Sequence, residues 1–192
     1  MPRGDVPLGE PATNEVLSLD ELEAAVGLRT GRKHILAILV ENKPGVLTRI
    51  AGLFARRGFN IDTLAVGPTD DDAVSRITLT LDGAVHPIDQ VTKQLHKLVN
   101  VLKIRDLEPE ETLARELALF KVFTDGPGRA EVMQICDIFR AKVVDITKRS
   151  VIVEITGTCA KVDAFERLVR PFGLVEMART GEIAISRGRG EN

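Results

Sequence analysis

His34-Ile35-Leu36-Ala37-Ile38-Leu39-Val40, then Asn42-Lys43-Pro44-Gly45, then Val46, Leu47, Ile50, Leu53 and Phe54 on the way to Gly58: this stretch sets the fold. A short apolar run closed by a Pro-Gly break suits a central strand better than a helix. The five apolar residues after the break fall on one helical stripe. Pro44 fits the first turn of that helix, where a missing N–H costs nothing, and Gly58 is its stop. Residues 59–66 then predict a strand through Ile61, Leu64 and Val66, and 67–72 (Gly-Pro-Thr-Asp-Asp-Asp) a polar turn. Residues 74–81 predict a third strand, with Ile77, Leu79 and Leu81 in period two. Pro87 opens a second helix with the stripe Ile88, Val91, Leu95 and Leu98, and 101–107 is a fourth strand. The order is βαββαβ.

The rest of the chain repeats it. Residues 116–123 predict a strand, Asp125-Gly126-Pro127-Gly128 a break, and Val132, Ile135, Cys136 and Phe139 a helix stripe. Strands at 143–146 and 151–155 follow, then a helix carrying Val162, Phe165, Leu168 and Val169, then a strand at 174–178. Residues 182–186 are a short extra strand. Pro44-Gly45 echoes Pro127-Gly128, and Asn60-Ile61 echoes Asp145-Ile146; the shared element order carries the duplication.

The expected class is therefore α+β, two ferredoxin-like βαββαβ sandwiches in tandem. The first is expected over residues 33–108 and the second over 114–188, joined by a charged linker at Glu108-Pro109-Glu110-Glu111. Residues 1–32, rich in Pro, Gly and acid, read as a flexible extension in which Ser18 to Gly27 could form a short capped helix. Helices on one face of each sheet leave the other face bare. Apolar area exposed to water costs about 25 cal/mol per Å², so that face is expected to meet another copy or chain.

Composition narrows the function. Hydrophobic residues make up 44% of the 192, enough for a real core, and the formal net charge is −2. Nucleic-acid and anionic-membrane partners usually require a basic face, so neither is expected. No Trp or Tyr is present, which leaves few aromatics for stacking RNA bases. No apolar run approaches a membrane span or a signal peptide. Cys136 and Cys159 show no metal-ligand spacing and read as buried free thiols in a reducing cytoplasm.

Catalytic chemistry is hard to find. His34, His86 and His96 lack Cys or carboxylate neighbours at ligand spacing. Asp70-Asp71-Asp72 could bind a hard cation but reads more simply as a solvated loop. Ser75 and Ser150 have no evident base, and no phosphate loop, dinucleotide fingerprint or nucleophile elbow occurs. Arg187-Gly188-Arg189-Gly190 is a terminal basic run and no more. Two similar sandwiches without a reactive cluster suit a sensor better than an enzyme.

The run from Ile35 through Pro44-Gly45-Val46-Leu47 to Phe59-Asn60-Ile61 resembles the opening of an ACT domain and, more narrowly, the small regulatory subunit of acetohydroxyacid (acetolactate) synthase. Leu64-Ala65-Val66-Gly67-Pro68-Thr69-Asp70, Ser75-Arg76-Ile77-Thr78 and residues 93–99 extend the likeness, and residues 138–141, 145–147 and 161–165 carry it more loosely into the second half. The resemblance implies a non-catalytic subunit that forms a homodimer through its ACT domains and stimulates a large catalytic subunit. Thiamine diphosphate, Mg2+ and FAD are expected in that partner and no cofactor or metal in this chain. It further implies feedback inhibition by valine in branched-chain amino acid biosynthesis. A stand-alone amino-acid sensor acting on another enzyme or on transcription is the alternative; an RNA-binding module and an independent enzyme are weaker ones.

The family's effector site falls on Asn42, Gly45, Val46 and Leu47, facing Asn60 and Ile61 of a second subunit. The chemistry fits a free amino acid. Open N–H groups at a helix start suit a carboxylate. Gly45 admits close approach, amide oxygens of Asn42 or Asn60 can accept from an ammonium, and Val46, Leu47 and Ile61 can enclose a small branched side chain. Taken singly, Asn42 could instead be a helix cap, Gly45 a turn residue and Asn60 a strand-edge residue. The second half lacks an Asn42 equivalent and offers Asp145 for Asn60, so it is not expected to bind valine in the same way.

Overall fold

A computed structural model of the chain describes residues 33–82, 87–126 and 128–188. The expected helix at Ser18, together with His86, Pro127 and Arg189-Gly190, lies outside them.

The first sheet contains β1 (Lys33–Glu41), β2 (Thr63–Pro68), β3 (Val74–Asp82) and β4 (Val101–Leu107), in spatial order β2-β3-β1-β4. All pairings are antiparallel, with Leu36 opposite Leu79 and Ile38 between Ile77 and Ile104. Helices α1 (Val46–Arg57) and α2 (Ile88–Leu95) cover one face. Leu36, Ile38, Val40, Ile50, Phe54 and Leu79 centre the core between them. Each such side chain contributes about 1.5–3 kcal/mol on burial.

The second sheet repeats the topology with β5 (Thr112–Phe123), β6 (Lys142–Ile146), β7 (Ser150–Gly157) and β8 (Leu174–Arg179), in order β6-β7-β5-β8. Helices α3 (Gly128–Phe139) and α4 (Cys159–Val169) cover it, over a core built on Phe120, Val153 and Phe165. Thr158 caps α4 by accepting from the Lys161 N–H at 3.3 Å. Among the described residues no helix is long and apolar enough to cross a membrane.

Four details depart from expectation. Helix α1 starts at Val46 with Gly45 at its N-cap, φ 84°, so Pro44 lies in the preceding turn and not in the helix. Leu47 and Leu168 fall off their predicted stripes, 41% and 48% exposed, because the buried rows run through Val46, Ile50 and Phe54 and through Val162, Phe165 and Val169. Strand β2 begins at Thr63, not at residue 59, because the Phe59 N–H turns back to the Phe54 carbonyl, closing the helix end. The linker shrinks to a single 3-10 turn, Pro109–Glu111, and β5 starts four residues earlier than predicted.

Those extra residues are structural. Thr112, Leu113, Ala114 and Arg115 pair with the short strand β9 (Ile183–Ser186), so β5 runs on beyond the second sheet, with the β8–β9 run alongside it, into a two-stranded ribbon. Ala184 packs with Ala37 and Leu107 on the helix-free face of the first sheet, and Arg76 donates to the Ala184 carbonyl at 3.0 Å. Part of the face expected to be bare is therefore covered by the chain's own second half.

Candidate functional site

The turn from β1 into α1 is built around a backbone conformation. Gly45 sits at φ 84°, and a Cβ there would meet nothing within 4 Å. The glycine is required by the left-handed geometry, which other residues reach only at a cost of about 1–2 kcal/mol. No side chain caps α1, and no acid occupies its first turn. The Val46 N–H reaches the Lys43 carbonyl only at 3.4 Å. The first N–H groups of the helix thus face outward at its positive end.

Asn42 is not the helix cap. Its Nδ2 donates to the Asp72 carbonyl at 2.9 Å and its N–H donates to the Ala73 carbonyl at 2.7 Å, tying the turn to the β2–β3 loop. That leaves Oδ1 as an acceptor beside the helix mouth. The turn's other flank is also fixed. Asn100 donates to Glu41 at 2.5 Å, and Glu41 meets Lys43 at 3.2 Å; these contacts, the Asn100 bond first, hold the Glu41 carboxyl below its usual range.

The six predicted residues divide by role. Val46 is buried in the core, so its side chain is not available at the turn, and its N–H has only the 3.4 Å contact with Lys43. Leu47 is the exposed apolar neighbour. Ile61 is half-buried against the first core. Asn60 is exposed, with one contact from Nδ2 to the Asp62 carboxylate at 3.4 Å. Within one chain Asn60 and Ile61 belong to the segment between α1 and β2, at the opposite end of α1 from the turn.

Other sequence candidates resolve into structure. Asp70, Asp71 and Asp72 form the exposed β2–β3 loop, where the Asp71 carboxylate accepts from the Ala73 N–H at 2.9 Å. His34 lies 3.2 Å from the Asp106 carboxylate on the adjacent strand, a cross-strand pair that sequence separation concealed. Cys136 is buried as expected, and burial, then Asp137, raises its thiol pKa.

Cys159, expected to be buried, is only half-buried and has polar neighbours. It stands with Glu116 and Asp163, their ligand atoms within 4.8 Å of one another. The Arg179 guanidinium already fills this cluster: it donates to both oxygens of Glu116, to Asp163 at 2.6 Å and to the Cys159 sulfur at 3.5 Å. Burial works against the Arg179 charge, but Glu116 and Asp163 outweigh it and hold the guanidinium above its ordinary pKa. Glu182 lies in the same field, its pKa pushed up by burial and then by Glu116. Sequence spacing missed the cluster because its members come from β5, α4 and β8.

A groove of 390 Å³ lies apart from the six residues, between Ala65, Gly67, Arg76 and Thr78 of the first sheet and Leu113, Ile183 and Ile185 of the ribbon. It lies where the β2–β3 side of the first sheet meets the ribbon.

Tandem βαββαβ sandwiches with an open, glycine-set helix mouth define a two-domain ACT-type chain. Comparison narrows the class. Residues 36–103 match the ACT domain of small subunits of acetohydroxyacid synthase (AHAS), and residues 115–188 match the family of the small subunit of acetolactate synthase. The chain is 47% identical over 163 residues to the acetolactate synthase small subunit of Mycobacterium leprae, covering 85% of this chain and 95% of that protein. It is 46% identical over 155 residues to that of Mycolicibacterium smegmatis, covering 81% and 91%. The crystal structure of the acetolactate synthase small subunit from Thermotoga maritima superposes with a TM-score of 0.76 at 41% identity, covering 82% of this chain and 99% of that one. The chain belongs to the acetolactate synthase small subunit family: it is a regulatory subunit and not the catalytic one.

Proposed function

We propose that this subunit stimulates the large catalytic subunit of acetolactate synthase and makes it sensitive to valine. The observation that carries the reading is the mouth of α1: it has no side-chain cap, and its Val46 N–H is held only at 3.4 Å by the Lys43 carbonyl, beside an Asn42 side chain whose Nδ2 is already bonded. A zwitterion has the complementary groups. Its carboxylate meets the helix amides and dipole, its ammonium meets an amide oxygen, and a small branched side chain lies against Leu47. The second wall is Asn60 and Ile61 of a second copy. Support for that copy comes from β2, an edge strand that itself carries Leu64 and Val66, 37% and 50% exposed.

Residues 33–108 serve as the effector-binding and dimer-forming unit, and 114–188 as the unit that faces the catalytic chain, in the cytoplasm. Thiamine diphosphate, Mg2+ and FAD belong to that partner. Regulation follows from linkage: valine bridging two copies favours one dimer arrangement, which supports the catalytic chain less well. Such couplings amount to about 1–3 kcal/mol, or roughly 5- to 150-fold in affinity.

The test is reconstitution with the catalytic subunit while valine, leucine and isoleucine are titrated against acetolactate formation. Asn60→Ala is expected to retain stimulation and to lose valine inhibition. Full valine sensitivity in that variant would refute the site.

A further inference from the structure

The turn between β8 and β9 presses on the element that leads out of the proposed effector seat. Gly181 is buried at φ 77°, and a Cβ there would stand 2.9 Å from the Thr63 Cβ. Both the left-handed backbone and the close approach exclude other residues. Thr63 opens β2, two residues after Ile61, and its hydroxyl lies 2.6 Å from that of Thr80 on β3. The same β2–β3 hairpin is held at its far loop by Asn42 through the Asp72 carbonyl, and along β3 by Arg76 on the Ala184 carbonyl. Asn42 therefore holds a hairpin whose helix-free face bears on the second half of the chain, and Asn60 and Ile61 lead directly into its first strand.

The contact continues inward. Two residues before Gly181, Arg179 binds Glu116 of β5 and Asp163 of α4. Thr180 of the turn donates its N–H to the Leu117 carbonyl at 3.0 Å and accepts from the Leu117 N–H at 3.1 Å. A shift at residues 60–63 cannot be absorbed at Gly181, where there is no side chain to give way and packed interiors move between discrete arrangements. It passes to the β8–β9 ribbon and through Arg179 to α4.

We infer that Thr63 and Gly181 are positioning residues that carry the effector signal from the first half of the chain to the second without touching the effector. This rests on the effector reading of residues 42–61 above. The test is amide hydrogen exchange on the full chain with and without L-valine. The expected result is slowed exchange at 45–48 and 59–63 together with about five-fold slowing at 180–184, the low end of allosteric coupling. Slowing confined to 45–48 and 59–63 would overturn the coupling and leave the effector reading standing. Slowing nowhere would overturn both. Gly181→Ala supplies a second measurement: valine affinity by calorimetry is expected to change about five-fold or more, because coupling is reciprocal. Unchanged affinity with an unchanged response at 180–184 would also overturn the coupling.

Discussion

The same turn is built twice in this chain and finished differently. In the first copy, Asn42 reaches from the end of β1 to the neighbouring hairpin, and the mouth of α1 stays open. In the second, Arg129 of α3 reaches to the Thr147 carbonyl at 2.6 Å and to Thr124, so a cation from the helix itself lies across the turn. The backbone tie is conserved in kind: Asn42 N–H to Ala73 in one, Thr124 N–H to Arg149 in the other. The helix ends differ too. Phe59 N–H closes on Phe54 after Gly58, and Ala141 N–H closes on Cys136 after Arg140, which holds φ 52° without being glycine. By that geometry the counterpart of Asn60 is Lys142, not Asp145 as the sequence echo proposed; Asp145 lies inside β6, opposite Ile152. On the proposed effector reading, the second copy would therefore place a cation where the first places Asn60. One scaffold thus leaves the helix mouth uncapped in one copy and lays an arginine across the corresponding turn in the other.

The largest expected effect falls on the filled copy. Glu116 is 3% exposed and depends on Arg179. Arg179→Met leaves that carboxylate unpaired and is expected to destabilise by about 3–5 kcal/mol in urea unfolding. Importing the second copy's residue into the first, Asn60→Lys, should weaken valine binding measured by calorimetry by about 10-fold or more, the worth of a hydrogen bond to a charged group at 1.5–3 kcal/mol. Arg140→Gly, importing the first copy's helix end into the second, should stabilise by about 1 kcal/mol, read as a raised urea midpoint.

The smallest effect is a pH dependence. Burial and Glu116 raise the Glu182 pKa in the folded chain, so the folded state binds the extra proton. Stability is then lost as pH rises from the ordinary glutamate value through the raised one. Glu182→Gln should flatten that fall, measured by urea midpoints across the interval.

The two sandwiches were legible because strands and helices differ in hydrophobic period, and Leu36, Ile38, Ile77 and Leu79 alternate as a half-buried sheet must. The ribbon was legible only in part. The short strand near 182–186 shows in the pattern, but its docking on Ala37 and Leu107 depends on long-range packing of small residues with no local signature. Pairing errors had the same origin: the Asn60–Asp145 echo matched letters where the helix end fixes the register. At the site, Gly45 announced its turn, while the burial of Val46 and the bond from Asn42 to Asp72 required the fold.

The central claim is that one copy's helix mouth and another copy's Asn60 share one ligand. Co-expression of Asn42→Ala and Asn60→Ala chains tests it directly by calorimetry with valine. In a mixed dimer one seat carries both changes and the other none, so tight valine binding should reappear although each variant alone binds weakly. Binding in the mixture no tighter than in either parent would contradict the claim.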